Sequence, residues 1–207
     1  SVASQAFANC SNLETISLLD AETIGDYLIL NSNKVKDIYA PLLENIPAYA
    51  FISHASLQSI SHGNVRAIAN YALHHCGQLT GDWECNELQT IGWQAMSGVN
   101  LSSMKMPKII SIEGGDQYNP GISSPSMRYI EIGDTCTLLG WNAFNGCTSL
   151  QFVICHASTP PNLQDGAFNN TNGCMIYVPD ASVEAYKNAT GWSAYADRIK
   201  GISEYTG

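Results

Sequence analysis

One phrase of the sequence returns at a fixed interval, and that periodicity constrains the fold more than any other feature. Residues Ala6-Phe7-Ala8-Asn9-Cys10-Ser11-Asn12-Leu13-Glu14-Thr15-Ile16 match Ala143-Phe144-Asn145-Gly146-Cys147-Thr148-Ser149-Leu150-Gln151-Phe152-Val153 at the Ala-Phe pair, the cysteine, the leucine and the final β-branched residue. With the large apolar residue as anchor, the series runs Phe7, Ile29, Phe51, Leu73, Met96, Phe144 and Phe168. The intervals are 22, 22, 22, 23, 48 and 24 residues. The interval of 48 is two periods. Its missing unit keeps only the strand half of the phrase, Ser126-Met127-Arg128-Tyr129-Ile130-Glu131-Ile132, and has lost the Ala-Phe pair around Tyr118 to Ile122. Eight units of 22 to 24 residues follow. A repeat this short cannot bury its apolar face alone, so stacking into a solenoid is the expected solution.

Within each unit the apolar positions keep their offsets. Val2, Ile24, Ile46, Ile68, Ile91, Leu139 and Leu163 stand five before an anchor; Ala21, Leu43, Val65, Leu88, Cys136 and Pro160 stand eight before. Nine after the anchor come Ile16, Ile38, Ile60 and Val153, in stretches alternating polar and apolar residues, which predicts one short half-buried strand per unit. The compact Ala-Phe-x-x-Cys segment predicts a turn of α- or 3₁₀-helix. In the fifth unit, Met96, Leu101 and Met104 imply a one-residue deletion.

The phrase resembles the BspA-like, Treponema-pallidum-type leucine-rich repeat family of bacterial surface proteins, whose units read approximately I-x-x-x-A-F-x-x-C-x-x-L-x-x-I. The resemblance covers residues 2 to about 178. It implies an α/β repeat fold, a right-handed solenoid, with repeats over 1–178, a degenerate unit at about 107–132 and a capping segment over 179–207. In that tail, Pro179, Asp180 and Ser182 suit a helix start, Val183 and Tyr186 can share a face, and Trp192, Tyr195 and Ile199 recur at helical spacing. The tail should lay an aromatic face over the final coil. No comparable cap is visible at the start, so upstream sequence is missing or the first coil is exposed.

Chemistry-bearing residues read mainly as structural. Cys10, Cys76 and Cys147 share one unit position with His54, forming a core column; Cys136, Cys155 and Cys174 also fall on repeat positions. Seven cysteines therefore read as buried free thiols rather than disulfides, with Cys85 alone off a core position. The absence of any C-x-x-C pair argues against zinc. His74 and His75 fall on the return segment, where solvated side chains are expected. Glu84 with Glu87, and Glu131 with Asp134, read as loop charges. Gly114-Gly115 does not sit in a phosphate-loop order. The sequons at Asn9, Asn100, Asn169 and Asn188 would be silent in a bacterial protein. No catalytic constellation, metal site or cofactor is expected.

The informative surface is the strand face. With the isoleucines turned inward, Thr15 and Ser17, Asp37 and Tyr39, Ser59 and Ser61, and Tyr129 and Glu131 turn outward, and Phe152 and Ile154 extend the row. Strict counting would bury Asp82, at a cost of several kcal/mol if unpaired, so a local slip should expose Asp82 and bury or half-bury Trp83. Without the slip, Tyr39, Trp83, Tyr129 and Phe152 form an aromatic stripe. The ligand-binding candidates are Tyr39, Trp83, Tyr129, Phe152, Asp37 and Glu131; the alternative is that these are ordinary surface aromatics.

Composition narrows the partners. Nine Lys and Arg against eighteen Asp and Glu, a net charge of −9, argue against nucleic acid. No apolar run approaches the ~20 residues of a bilayer span, so membrane association would need a removed or missing anchor. Charged residues are only 13%, and a polar uncharged surface suits an extracellular or cell-surface location. The expected function is a non-enzymatic, monomeric module binding a protein ligand or mediating adhesion; the alternatives are a carbohydrate-binding accessory module and a structural spacer.

Overall fold

A computed structural model of the chain describes residues 1–206. It is a solenoid of eight coils, and each coil runs along three walls. The first wall carries the strand face. Thr15–Ser17, Asp37–Tyr39 and Ser59–Ile60 form a three-stranded parallel sheet. Thr80–Glu84, Asn100–Met106, Tyr129–Ile132, Phe152–Cys155, Met175–Val178 and Ile199–Gly201 form a six-stranded one. The second wall is a continuous parallel sheet from Asn45–Ile46 to Asn162–Leu163, whose inward residues are those five before the anchors. In the sixth coil Ile112 holds that place, and Val2 pairs with Ile24 at the start.

The third wall is built from the anchor segments, and it is not helical. Each segment is a pair of tight turns. In the fourth coil, Ala72 N–H reaches Ala69 C=O and Cys76 N–H reaches Leu73 C=O, both at 3.2 Å, with Tyr71 and His75 at φ of 59° and 60°. A positive φ at the third position is that of a type II turn, and its return every fourth residue forbids helix. The same two offsets carry positive φ in seven coils: Gln5 and Asn9, Tyr27 and Asn31, Tyr49 and Ser53, Tyr71 and His75, Gln94 and Gly98, Asn142 and Gly146, Gly166 and Asn170. The turned backbone leaves N–H and C=O groups pointing along the solenoid, where they pair between coils: Phe51 N–H with Ala72 C=O and Phe144 N–H with Ala167 C=O, each at 2.9 Å. Tyr27, Tyr49 and Tyr71 stack along this wall at 5.3 and 5.1 Å between centroids.

The degenerate sixth unit regains its anchor in three dimensions. Ile122 pairs with Met96 and donates its N–H to Ala143 C=O, so Ile122 stands where a phenylalanine stands elsewhere. Gly121 replaces the usual alanine because a Cβ there would lie 2.7 Å from Gly114 Cα.

Inside, the strand residues Ile16, Ile38, Ile60, Trp83, Met104, Ile130, Val153, Ile176 and Ile199 form one buried row. Trp83 lies ten residues after its anchor and Met104 only eight after its own. The pairing of the two strands shifts by one residue between Gly81 and Asp82, leaving Ser102 unmatched. The slip exposes Asp82 and buries Trp83 to 3% exposure, so Trp83 is a core residue and no member of a surface stripe.

The core column runs further than its cysteines. The side chains of Ser32, His54, Cys76, Ser124 and Cys147 each meet a backbone carbonyl of the preceding coil: Phe7, Ser32 (2.9 Å), Phe51 (3.1 Å), Leu101 (2.7 Å) and Ile122 (3.6 Å). A carbonyl only accepts, so His54 Nε2 carries a hydrogen and donates it. Burial holds its pKa below the ordinary histidine value, against the opposing effect of the Ser32 bond. The column needs a hydrogen-bond donor rather than a thiol in particular. All seven cysteines are free; Cys10 is half-buried and the other six are buried. Cys85, expected off the core, is 2% exposed, and burial pushes its thiol up to about 12. His74, expected in solvent, is buried as well, packed beside Tyr71, with its Nδ1 lacking a hydrogen-bond partner. It follows its anchor directly, and the turn directs it back toward the wall while His75 stays exposed.

The tail closes the last coil. Tyr186 and Trp192 are fully buried; their O–H and Nε1–H donate to the carbonyls of Ala157 (2.8 Å) and Pro161 (2.7 Å). The tail is only partly helical: Val183–Asn188 is α-helix, Trp192–Arg198 is 3₁₀, and Ile199–Gly201 is a strand that extends the strand face.

Candidate interaction surface on the strand face

Parallel pairing sets outward residues of successive coils side by side. One row reads Asp82, Ser103, Tyr129, Phe152, Met175; the next reads Glu84, Lys105, Glu131, Ile154, Tyr177, Lys200. The sequence candidates fall into three places on this framework. Tyr39, 54% exposed, and half-buried Asp37 lie on the short sheet, where Asp37 accepts a hydrogen bond from Ser59 Oγ at 2.6 Å. They border a shallow hollow of about 430 Å³ with Pro41, Ser61 and His62. Trp83 is in the core, on the edge strand of the six-stranded sheet. Only Tyr129, Phe152 and Glu131 come together.

Around those three the surface becomes aromatic and charged. Tyr129 packs on Phe152 at 5.0 Å between centroids, and Phe152 packs on Tyr205 at 4.8 Å. Tyr177 meets Tyr205 at 5.2 Å and Phe152 at 6.5 Å. Tyr177 belongs to the strand Met175–Val178 and Tyr205 to the tail, and only the tertiary fold brings Tyr205 here. Ile154, expected to face outward in solvent, does lie on this face but is 7% exposed, flanked in register by Glu131 and Tyr177.

Glu131 is the polar centre. It accepts hydrogen bonds from Tyr129 Oη and from His156 Nε2, the latter at 2.9 Å. Burial works to raise its pKa, but these two bonds, with the charges of His156 and Lys105, outweigh it and hold the carboxyl below its ordinary value. Tyr129 is pushed the other way, first by burial and then by Glu131. Glu131 is therefore an organised anion rather than a free loop charge. It borders an open groove of about 740 Å³ with Glu84, Lys105, Asp134 and His156, and Lys105 Nζ lies 3.7 Å from Glu84 and 6.0 Å from the Tyr129 ring centre.

Among the described residues no three His, Cys, Asp or Glu side chains come together to hold a metal ion, and no helix is long and apolar enough to cross a membrane.

Six copies of the BspA type leucine rich repeat region match the chain over residues 1–117 and 122–191, and the chain belongs to this family. A leucine-rich repeat protein from Bacteroides ovatus superposes with a TM-score of 0.63 at 18% identity, covering 82% of this chain and 49% of that one. A leucine rich cell surface protein from Faecalibacterium prausnitzii superposes with a TM-score of 0.56 at 18% identity, covering 87% of this chain and 59% of that one. At such identity the likeness is one of fold, and the chain spans roughly half the length of these proteins. No curated protein matches it.

Proposed function

We propose that the chain is a non-enzymatic recognition module of a bacterial surface or secreted protein, and that it binds a protein partner through the strand face of its last four coils. The observation that carries this reading is the cluster Tyr129, Phe152, Tyr177 and Tyr205, half-exposed and rimmed by Lys105, Glu131, His156 and Lys200. Aromatic centres with polar rims are the usual anatomy of protein interfaces, where a few rigid rings supply most of the binding energy. The rings sit on paired strands, so little conformational freedom is lost on binding. Location outside the cell accords with the family and with the surface protein from F. prausnitzii.

The test is a side-by-side screen of wild-type and Phe152→Ala/Tyr129→Ala protein on arrays of extracellular proteins and glycans. A protein ligand lost in the double variant and retained in Tyr39→Ala supports the reading. The absence of any protein ligand, or protein ligands insensitive to the double variant, would overturn it.

A further inference from the structure

The irregular sixth coil builds a second surface, away from the strand face. Met96 and Ile122 are 26 residues apart, against 22 to 24 for the regular coils, and the surplus forms a loop between Gly115 and Gly121. The loop is ordered by one side chain. Asp116 Oδ1 accepts the N–H groups of Tyr118 (2.8 Å) and Asn119 (2.7 Å), and its Oδ2 accepts Gln94 Nε2 at 2.9 Å. Held this way, the loop presents Tyr118 at 81% exposure, the most exposed large apolar side chain among the described residues.

Tyr118 shares a groove with Trp141, itself 52% exposed. Trp141 and Trp93 occupy the same place in coils seven and five; coil six offers Gly114-Gly115 there, and the two indoles meet edge to face at 6.5 Å. Beside them lies a chain of amides. Asn170 Nδ2 donates to Asn145 Oδ1 (2.8 Å), and Asn145 Nδ2 donates to Asn142 Oδ1 (3.2 Å). Asn145 is 6% exposed and lines the groove; an amide nitrogen carries two hydrogens, so its second remains for an acceptor in the groove. Gly166, at φ 76°, keeps this corner open, because a Cβ there would lie 2.2 Å from Asn142 Oδ1.

We propose that this groove, of about 560 Å³, binds a neutral saccharide. A pyranose has an apolar C–H face, which an exposed indole or phenol accepts on its electron-rich surface, and a rim of hydroxyls that both donate and accept, as amides do. Asp165 lines the groove and no Lys or Arg does, so its field disfavours phosphate, sulfate or sialate. It also lacks an aliphatic pocket for a peptide side chain. The ligand class and the surface are both distinct from those of the strand face.

The experiment is calorimetric and tryptophan-fluorescence titration of the whole chain with neutral hexasaccharides of glucose, mannose, galactose and xylose, and with sialyllactose. Saturable binding of a neutral sugar is expected, weakened about tenfold by Trp141→Ala, partly restored by Trp141→Phe, and unchanged by Phe152→Ala. Tyr118→Ala, at a position too exposed to affect folding, should weaken it severalfold and keeps the test decisive should Trp141→Ala unfold. The proposal is overturned if no neutral sugar saturates at millimolar concentration, if sialyllactose binds best, or if Phe152→Ala abolishes binding while Trp141→Ala and Tyr118→Ala do not.

Discussion

The indole of Trp83 lies flat on the imidazole of His62, with centroids 4.3 Å apart and planes 6° from parallel. This stack fills the step at which strand-face pairing lapses, between Ser59–Ile60 and Thr80–Glu84. Trp83→Ala is expected to cost about 3–5 kcal/mol of stability, the range for large aromatics cut back in a core. Tyr39→Ala, at a 54% exposed site, should stay within about 0.5 kcal/mol of wild type. Denaturant midpoints compare the two, and equal values would mean that Trp83 is not part of the core.

His54 predicts an acid-sensitive stability. Burial lowers the pKa of both His54 and His74, and in His74 the adjacent His75 adds to it. Each ring takes a proton in the unfolded chain near the ordinary 6.5 but resists it when folded, so the unfolded state binds more protons and stability falls as pH drops below that value. Glu131, whose pKa is depressed, adds stability above the ordinary 4.5 that is lost at more acid pH. His54→Cys keeps a column donor while removing one of the two histidines. Its unfolding free energy should therefore fall less steeply than that of wild type between pH 6.5 and 5; an identical slope would show that His54 does not stay neutral.

The thiols give a third expectation. Burial pushes Cys76, Cys85, Cys136 and Cys147 up to about 12, and the thiolate is the reactive form. In a reduced sample at neutral pH, a thiol reagent should label the folded chain rapidly at Cys10 alone and reach all seven cysteines only on unfolding. Fast labelling of Cys85 would place it at the surface after all.

At the tail, Trp192→Ala removes a fully buried indole and its bond to Pro161, and should cost about 3–5 kcal/mol. Tyr186→Phe removes only the hydroxyl and leaves the Ala157 carbonyl without that donor, at about 1–3 kcal/mol. Thermal unfolding of the two variants should preserve that order. A neutral Trp192→Ala would mean that the tail does not seal the last coil.

The repeat could be read in the residues because stacking forces equivalent side chains into equivalent holes: Phe7 and Phe144 declare themselves by an alanine just before and a cysteine three residues after. Ser32 and Ser124 are not legible as column members because a hydroxyl does not stand out in a serine-rich chain, though Ser32 has the same offset from its anchor as Cys10. The tight turns were hidden by Tyr27, Tyr49 and Tyr71, whose positive φ no propensity announces, whereas Asn31 and Gly146 carry the expected signal. On the strand face Tyr129, Phe152 and Glu131 could be found by alternation. Tyr205 could not, since it arrives from the tail. Tyr118 and Trp141 carry no such signal, because the sixth unit reads as a decayed copy and only its inserted loop brings Tyr118 beside Trp141.

The lapse in strand pairing after Ser59–Ile60 also sets how the molecule answers a mechanical load. Hydrogen bonds in all three walls run along the solenoid, so tension applied at its ends stretches them in series, one inter-coil step after another. Only two walls are bonded at the step after the third coil, with the Trp83 and His62 rings in place of the third. Pairing lapses as well between Ile24 and Ile46 in the second wall, and among the described residues no anchor-segment backbone bond joins the second and third coils, so under tension the first three coils should part before the six-stranded sheet over residues 80–201 yields.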